Sequence, residues 1–188
     1  LEQLDATAQV WTAQAETASF FTALKLSQLR GWKVSKHDVK TAFLNAPVPE
    51  DELVVIQPPK IWIEWGLVPA NVLWTCDKAI YGLRKSPKWW GEERDRQFTK
   101  LRWSADCKHY HLVQSTADSQ LWMLKEQGSS ETLGCLIVYV DDNLLLSEDG
   151  NMRTGWLEAV GNVWKLAKEQ ILVAGDKQEF TFLGIDLV

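Results

Sequence analysis

The order of apolar and polar residues predicts helices and strands in mixed succession. Residues 5–30 carry Ala, Leu, Phe, Gln and Glu without Gly or Pro and stop at Gly31, which predicts a helix with a glycine signal at its C-terminal end. The segment "WKVSKHDVK" then alternates as a strand does, and Asp38 falls at or near the end of that strand. A short helix or turn follows. Next comes the brief strand "LVVIQPP", which ends at its two prolines.

The second half of the chain is predicted in the same way. Residues 60–71 are loop-like, and a helix then starts with Ser86 as its cap and Pro87 at its first position, with an apolar stripe that runs through Trp103. Residues 151–170 predict an amphipathic helix. The predicted strands are "YHLVQS", "QLWMLKE", the hairpin "LGCLIVYVDDNLLLS" and a closing strand "EFTFLGIDLV". Without a steady βαβ rhythm, this order predicts an α+β fold with an antiparallel sheet backed by helices.

Composition narrows the class of protein. At 188 residues, with 46% apolar and 24% charged residues, the chain has the size and make-up of one globular domain or of a piece of a larger protein. It shows no internal repeat, and no apolar run approaches the roughly 20 residues of a membrane span. Three cysteines without CxxC spacing do not indicate a disulfide framework, so we expect an intracellular protein in a reducing compartment.

The charge is unevenly distributed. A net charge of −5 argues against a protein that simply coats nucleic acid, because phosphate contacts come from Lys and Arg. Residues 84–108, however, hold eight basic residues against four acidic ones, so the middle of the chain could contact a polyanion. The alternative is that "EERDRQFTK" is the solvated face of a helix.

Two adjacent carboxylates, Asp141 and Asp142, stand between the apolar runs of the predicted hairpin. An ionised carboxylate costs several kcal/mol to desolvate unless it is paired, so two neighbours need water or a shared cation. Asp and Asn favour turns, and one interpretation is therefore a hairpin whose tip happens to be acidic. The other is a divalent-metal site with Asp38 as the third carboxylate. Asp38 and Asp141 could then hold two Mg²⁺ ions that stabilise the attacking and leaving oxygens of phosphoryl transfer.

Other residues offer weaker hypotheses. Cys107, His109 and His111 would share one face of a strand as a zinc cluster, but no fourth ligand stands at a usual spacing. His37 could take part in proton transfer or pack within its strand. The tryptophans could stack on bases, but those in apolar patterns are expected in the core, namely Trp62, Trp65, Trp89, Trp90, Trp156 and Trp164.

Four blocks carry a family resemblance over residues 24–188: "KHDVKTAFLNAPVPEDELVVIQPP", "CDKAIYGLRKSPKWW", "LIVYVDDNLLLS" and "FTFLGIDLV". In order and spacing they resemble the reverse transcriptase of Copia-type LTR retrotransposons. The resemblance implies one domain over residues 1–188, the palm and part of the fingers of a right-hand polymerase, in which residues 1–23 form a divergent N-terminal helix. It implies a core fragment of a Pol polyprotein without thumb, ribonuclease H, integrase or protease.

The resemblance also implies roles for single residues. Asp38, Asp141 and Asp142 match the family's catalytic aspartates, and Asp38 and Asp141 would hold two Mg²⁺ or Mn²⁺ ions. Phe43 looks like the steric gate against a ribose 2′-hydroxyl, although it could be an ordinary core residue. The nucleotide site would further include Val39 and Lys85. The primer and template site would include Tyr139, Val140, Gly82, Pro87, Leu183 and Gly184, of which Tyr139 and Val140 could instead serve strand packing.

Two departures from the family pattern stand out. Lys85 replaces the usual Gln, which would change a polar contact to nucleotide or template, and Ala46 replaces the usual Gly, which would be costly only at a positive φ. The implied function is an RNA-directed DNA polymerase with an RNA or DNA template-primer and dNTPs as partners, in a cytoplasmic retroelement particle or the nucleus. The alternatives are an inactive remnant that binds nucleic acid weakly and an unrelated α+β domain with an acidic hairpin.

Overall fold

A computed structural model describes residues 15–172 and 179–187. The described residues divide into two compact units, one of residues 41–93 and one of residues 15–40, 94–172 and 179–187. We call the second the sheet unit and the first the insert unit, and each is described by itself. The single domain over residues 1–188 stays a prediction.

The described residues form five helices and eleven strands. The helices are α1 (Thr17–Arg30), α2 (Ala42–Asn45), α3 (Lys60–Glu64), α4 (Ser86–Lys100) and α5 (Asn151–Gly161). The strands are β1 (Lys33–Asp38), β2 (Val55–Ile56), β3 (Trp74–Thr75), β4 (Arg102–Ala105), β5 (Lys108–Gln114), β6 (Leu121–Glu126), β7 (Gly134–Tyr139), β8 (Asp142–Ser147), β9 (Gln170–Leu172), β10 (Phe180–Phe182) and β11 (Ile185–Leu187). No helix among the described residues is long and apolar enough to cross a membrane.

The sheet unit is built on one antiparallel sheet in the order β4-β5-β6-β7-β8-β1-β9, so the predicted α+β class is confirmed. Strand β1 inserts beside β8 although more than a hundred residues separate them along the chain. Because side chains alternate between the two faces of a sheet, β7 and β8 at its centre carry apolar residues toward both. The central strands are therefore covered on each face.

Different elements cover the two faces. On one face, α1 and the β10–β11 hairpin pack against the central strands, with Phe20 and Phe182 stacked at 5.8 Å between ring centroids. On the other face, α5 presents Trp156 edge-on to His37 of β1, at 5.5 Å between ring centroids. The rim of that face is closed by the Trp103 indole, which donates a 2.9 Å hydrogen bond to the Met152 carbonyl.

Helix α1 ends as the sequence predicts. Gly31 has φ 64°, its N–H donates to the Gln28 carbonyl, and the N–H of Trp32 donates to the Ser27 carbonyl at 2.8 Å. At the other end, the Asp118 carboxylate accepts a 2.9 Å hydrogen bond from the backbone N–H of Glu16, just before the helix begins. Residues 5–14 of the predicted helix lie outside the described residues.

Several predicted boundaries are wrong. The region 60–71 is not all loop, because α3 begins after Pro59, whose φ of −52° suits a helix start. Helix α4 begins at Ser86, the predicted cap, one residue before the predicted first position, and it ends at Lys100, so Trp103 lies on β4. The Ser86 hydroxyl donates to the Ile80 carbonyl at 2.6 Å, which is not the contact of an N-cap.

The predicted helix 151–170 and the closing strand also differ from the structure. Helix α5 ends at Gly161, because the backbone of residues 165–167 instead pairs with the end of β1: Lys40 N–H donates to the Lys165 carbonyl and Ala167 N–H to the Asp38 carbonyl. The last segment is a hairpin, since Leu183 (φ 54°) and Gly184 (φ 74°) turn β10 into β11. Positive φ at both central residues suits the twist of a two-residue hairpin.

In the insert unit, β2 pairs with β3, and Trp62 on α3 contacts Trp74 edge-on at 5.6 Å. Trp62 and Trp65 are 42% and 68% exposed, so the prediction that both lie in the core is wrong. Helix α3 has only five residues, too few to present a full apolar stripe that a core could cover. Trp89, Trp90, Trp156 and Trp164 are buried as predicted.

Candidate functional site

The acidic residues occupy a two-residue turn between β7 and β8. Tyr139 and Asp142 face each other as the last antiparallel pair, which leaves Val140 and Asp141 as the turn itself. Val140 has φ 55°, a conformation that costs a β-branched residue about 1–3 kcal/mol. Such strain persists only where the surrounding structure enforces it, and it concentrates at functional sites.

Asp38 meets this turn from the neighbouring strand. It is the last residue of β1 and lies directly opposite Asp142 in the antiparallel register. The next N–H of the chain, that of Val39, donates a 3.1 Å hydrogen bond to the Asp141 carbonyl. The structure thus brings Asp38, Asp141 and Asp142 together at one end of three adjacent strands, although they are far apart along the chain.

The carboxylates at this end of the sheet repel one another. Burial is the main cause that raises the pKa of the Asp141 carboxyl, and the charges of Asp38 and Asp142 raise that pKa further. The ammonium of Lys36 opposes this shift and forms a 2.8 Å ion pair with Asp142. Three carboxylates against one ammonium leave an excess of negative charge that a cation would neutralise.

The donor set suits a hard divalent cation. Carboxylate oxygens are the ligands that Mg²⁺ prefers, and one or two of them beside substrate phosphates suffice in many phosphoryl-transfer sites. Asp38 and Asp141 can supply such oxygens, since Asp142 is engaged by Lys36. Within the described ranges, no three His, Cys, Asp or Glu side chains are grouped so that they could hold a metal ion by themselves. Two residues of the predicted zinc cluster have other surroundings. Cys107 lies in the β4–β5 turn, and the His109 ring forms a 2.8 Å hydrogen bond with the Ser104 hydroxyl.

Other predicted residues of the sheet unit border the turn or lie on the β10–β11 hairpin. Tyr139 is the last residue of β7. Val39 is buried and forms an isolated bridge with Leu166. Leu183 and Gly184 form the tip of the hairpin, whose Thr181 carbonyl accepts a 3.1 Å hydrogen bond from Lys36.

The predicted nucleotide and template residues Phe43, Gly82, Lys85 and Pro87 belong to the insert unit. Phe43 lies on α2, half-buried, with its ring 4.8 Å from that of the exposed Tyr81. Gly82 (φ 94°) and Lys85 line a cavity of about 360 Å³. The Lys85 ammonium contacts both carboxylate oxygens of Glu52, at 2.7 and 2.8 Å. Pro87 is the second residue of α4.

Ala46, which replaces the family's usual Gly, has φ −85°. The backbone therefore does not need a glycine at this position, and the alanine causes no strain there. It is fully buried, and its carbonyl accepts a 3.0 Å hydrogen bond from the Ala79 N–H.

The sequence interpretation missed Lys36 as a partner of the acidic turn. The two-residue period of a strand could have revealed it. Lys36 stands two residues before Asp38, so both side chains point to the same face.

On the opposite face of β1, a hydrogen-bonded network joins Ser35, His37, Arg153 and Glu169. In this network the Arg153 guanidinium donates to the Ser35 hydroxyl and to the Glu169 carboxylate. Burial lowers the pKa of His37 to about 4.

The sequence interpretation also missed the burial of Arg94. Its side chain is 1% exposed, although "EERDRQFTK" could be interpreted as a solvated helix face. The guanidinium donates to the Asp95 carboxylate, to the Gln120 amide oxygen at 2.8 Å and, at 3.4 Å, to the carbonyl of the strained Val140. The charge run contains the partner Asp95 but carried no sign of the burial, because Gln120 and Val140 are 26 and 46 residues away along the chain.

These features define an α+β protein whose central antiparallel strands end in an acidic centre with a donor set for a hard cation. The particular family follows from the sequence comparison. The chain matches the family described as "Reverse transcriptase (RNA-dependent DNA polymerase)" over residues 5–188, and it belongs to that family. The resemblance inferred from the four sequence blocks is thereby confirmed.

Its relatives include retrovirus-related Pol polyproteins of plant transposons of the Copia type. Those from transposons RE1 and RE2 of Arabidopsis thaliana are 24% and 26% identical over 186 and 183 residues, each covering 95% of this chain. The one from transposon TNT 1-94 of Nicotiana tabacum is 23% identical over 141 residues, 75% of this chain. The chain spans only 11%, 11% and 10% of the lengths of these relatives.

Proposed function

We propose that this chain is the core of an RNA-directed DNA polymerase, with the sheet unit as its palm and the insert unit as part of its fingers. The observation that carries the proposal is the meeting of Asp38 at the end of β1 with the strained Val140-Asp141 turn. A rigid antiparallel sheet holds these carboxylates at fixed positions, as catalysis of phosphoryl transfer requires. The template-primer would be RNA or DNA, and the substrates would be dNTPs.

In this proposal Asp38 and Asp141 hold two Mg²⁺ or Mn²⁺ ions, and Asp142 stays beside them in its ion pair with Lys36. The bound ions would neutralise charge on the attacking and leaving oxygens during nucleotidyl transfer. The protein contributes the positions of the carboxylates, because β1 and the β7–β8 hairpin are hydrogen-bonded along their length. Val140, Tyr139 and the Leu183-Gly184 turn would contact the primer.

In this proposal Val39 of the sheet unit would contact the nucleotide. Phe43 would act as the steric gate that favours deoxynucleotides, and its half-buried ring is available to a ligand in a way that a core ring is not. Gly82, Lys85 and Pro87 would lie under the templating base and the incoming nucleotide. If Phe43 is the steric gate, Phe43→Ala should lower the preference for dNTP over rNTP, measured as the ratio of their kcat/KM values.

A second candidate is a non-catalytic remnant that keeps the fold and binds nucleic acid weakly. The observation that favours it is the Lys85 ammonium, which Glu52 engages through both of its carboxylate oxygens. A lysine paired in this way would have to leave Glu52 before it could contact a nucleotide or a template.

Primer extension on an RNA template with Mg²⁺ or Mn²⁺ tests the proposal, with the wild-type chain beside Asp141→Asn. A suitable control is Asp149→Asn, which makes the same chemical change beyond the far end of β8, where Asp149 pairs with Lys33. We expect incorporation by the wild type and by Asp149→Asn, and a loss of at least about a hundredfold in Asp141→Asn. Absence of incorporation by a chain that circular dichroism shows to be folded would support the remnant instead.

A further inference from the structure

Lys36 lies at a junction between two parts of the sheet unit. On β1 it shares a face with Asp38, and in the antiparallel register it is opposite Leu144, so Asp142 is its diagonal neighbour on β8. Its ammonium reaches across to the Asp142 carboxylate at 2.8 Å, and the two side chains are only 18% and 23% exposed. Partial burial weakens solvent screening, so this pair is stronger than a fully exposed one.

The same ammonium holds a second element. It donates a 3.1 Å hydrogen bond to the carbonyl of Thr181 on β10. The β10–β11 hairpin also packs on the central strands through apolar side chains, with Phe180 and Phe182 buried in the core cluster. Apolar packing is not directional. The hydrogen bond from Lys36 adds a directional contact between this hairpin and the strand that carries Asp38.

We propose that Lys36 is a positioning residue that keeps Asp142 out of cation binding and fastens the β10–β11 hairpin next to the acidic turn. The first part rests on the proposed function, because it assumes that Asp38 and Asp141 bind the cation. The second part does not, since it concerns the hairpin alone. One side chain thereby couples the arrangement of the carboxylates to that of a neighbouring hairpin.

Hydrogen exchange in the full chain tests the coupling to the hairpin. In Lys36→Met, amide exchange of residues 180–187 should be faster by about tenfold or more than in the wild type, and Lys36→Arg should restore most of the protection. The matched control is Lys33→Met, which removes a lysine of the same strand that pairs with Asp149 at 3.2 Å. This control should leave residues 180–187 unchanged.

The double variant Lys36→Met with Asp142→Asn removes both charges of the Lys36–Asp142 ion pair and keeps the test decisive if the single variant does not fold. Faster exchange of residues 180–187 is expected in it too. Unchanged exchange of these residues in a folded Lys36 variant, or an equal effect of Lys33→Met, would overturn the coupling.

Binding of Mn²⁺, followed by electron paramagnetic resonance without nucleic acid, tests the role of Lys36 toward Asp142. Loss of the positive charge should tighten Mn²⁺ binding on the order of tenfold in Lys36→Met, whereas Lys33→Met should bind as the wild type does. Unchanged binding in Lys36→Met would overturn this part. If Asp141→Asn binds Mn²⁺ as well as the wild type, the proposed metal site fails, while the exchange experiment still decides the coupling to the hairpin.

Discussion

The buried Arg94 allows a sharp prediction about stability. Its guanidinium is 1% exposed, and Asp95, whose side chain is 30% exposed, accepts hydrogen bonds from its Nε and from one terminal nitrogen, at 2.9 and 2.7 Å. Burial lowers the pKa of the guanidinium, and Asp95 opposes this. Asp95→Ala leaves the buried cation without its counter-charge, which costs about 3–5 kcal/mol for a fully buried pair. Because Asp95 is partly open to water, we expect a cost near the lower end.

Arg94→Met should cost less, although it removes the larger side chain. The variant abolishes the buried charge together with its desolvation penalty, and an apolar side chain fills much of the same volume. What remains is the loss of donors to the Gln120 amide oxygen and the Val140 carbonyl, worth about 1–2 kcal/mol in total. In the double variant Arg94→Met with Asp95→Ala, the loss of Asp95 should change the free energy of unfolding little further. The double variant should therefore be about as stable as Arg94→Met.

The assay is urea unfolding followed by tryptophan fluorescence, with comparison of midpoints at equal m-values. Arg96→Met is the control, because Arg96 lies on the same helix with an exposed side chain, and we expect a change within about 0.5 kcal/mol. The reasoning is refuted if Arg94→Met is at least as destabilising as Asp95→Ala, or if the two effects add in the double variant.

Two further predictions follow from single positions. Burial raises the pKa of the Cys135 thiol from 9.0 to about 11. As the pH rises, the unfolded chain therefore loses this proton before the folded chain does. The free energy of unfolding should fall between pH 9 and 11, by at most about 3 kcal/mol. Cys135→Ala should show a smaller fall in urea midpoint over that range, and an equal fall would contradict the assignment. Ala46→Gly should destabilise by about 0.5–1 kcal/mol, because φ is −85°; a gain in thermal midpoint would contradict this.

Much of the fold follows from local patterns. The end of α1 at Gly31, the strand that ends at Asp38 and the β7–β8 hairpin all agree with the sequence prediction. Each depends on side-chain period or turn chemistry within a few residues. Helix α5 shows the limit of such patterns: Trp164 and Leu166 keep the helical spacing, yet the chain leaves the helix after Gly161 because backbone groups at the end of β1 bind residues 165–167.

The candidate site divides in the same way. The residue types and the order of Asp38, Asp141 and Asp142 were evident from the sequence, since charges that interrupt apolar strands require a partner. Only the tertiary structure decided that Asp38 lies opposite Asp142, that Lys36 neutralises Asp142 and that Arg94 is buried beneath the turn. These features depend on strand register and on contacts between residues far apart along the chain. Local propensity carries no information about such contacts, because it is set by neighbours within one turn or one strand.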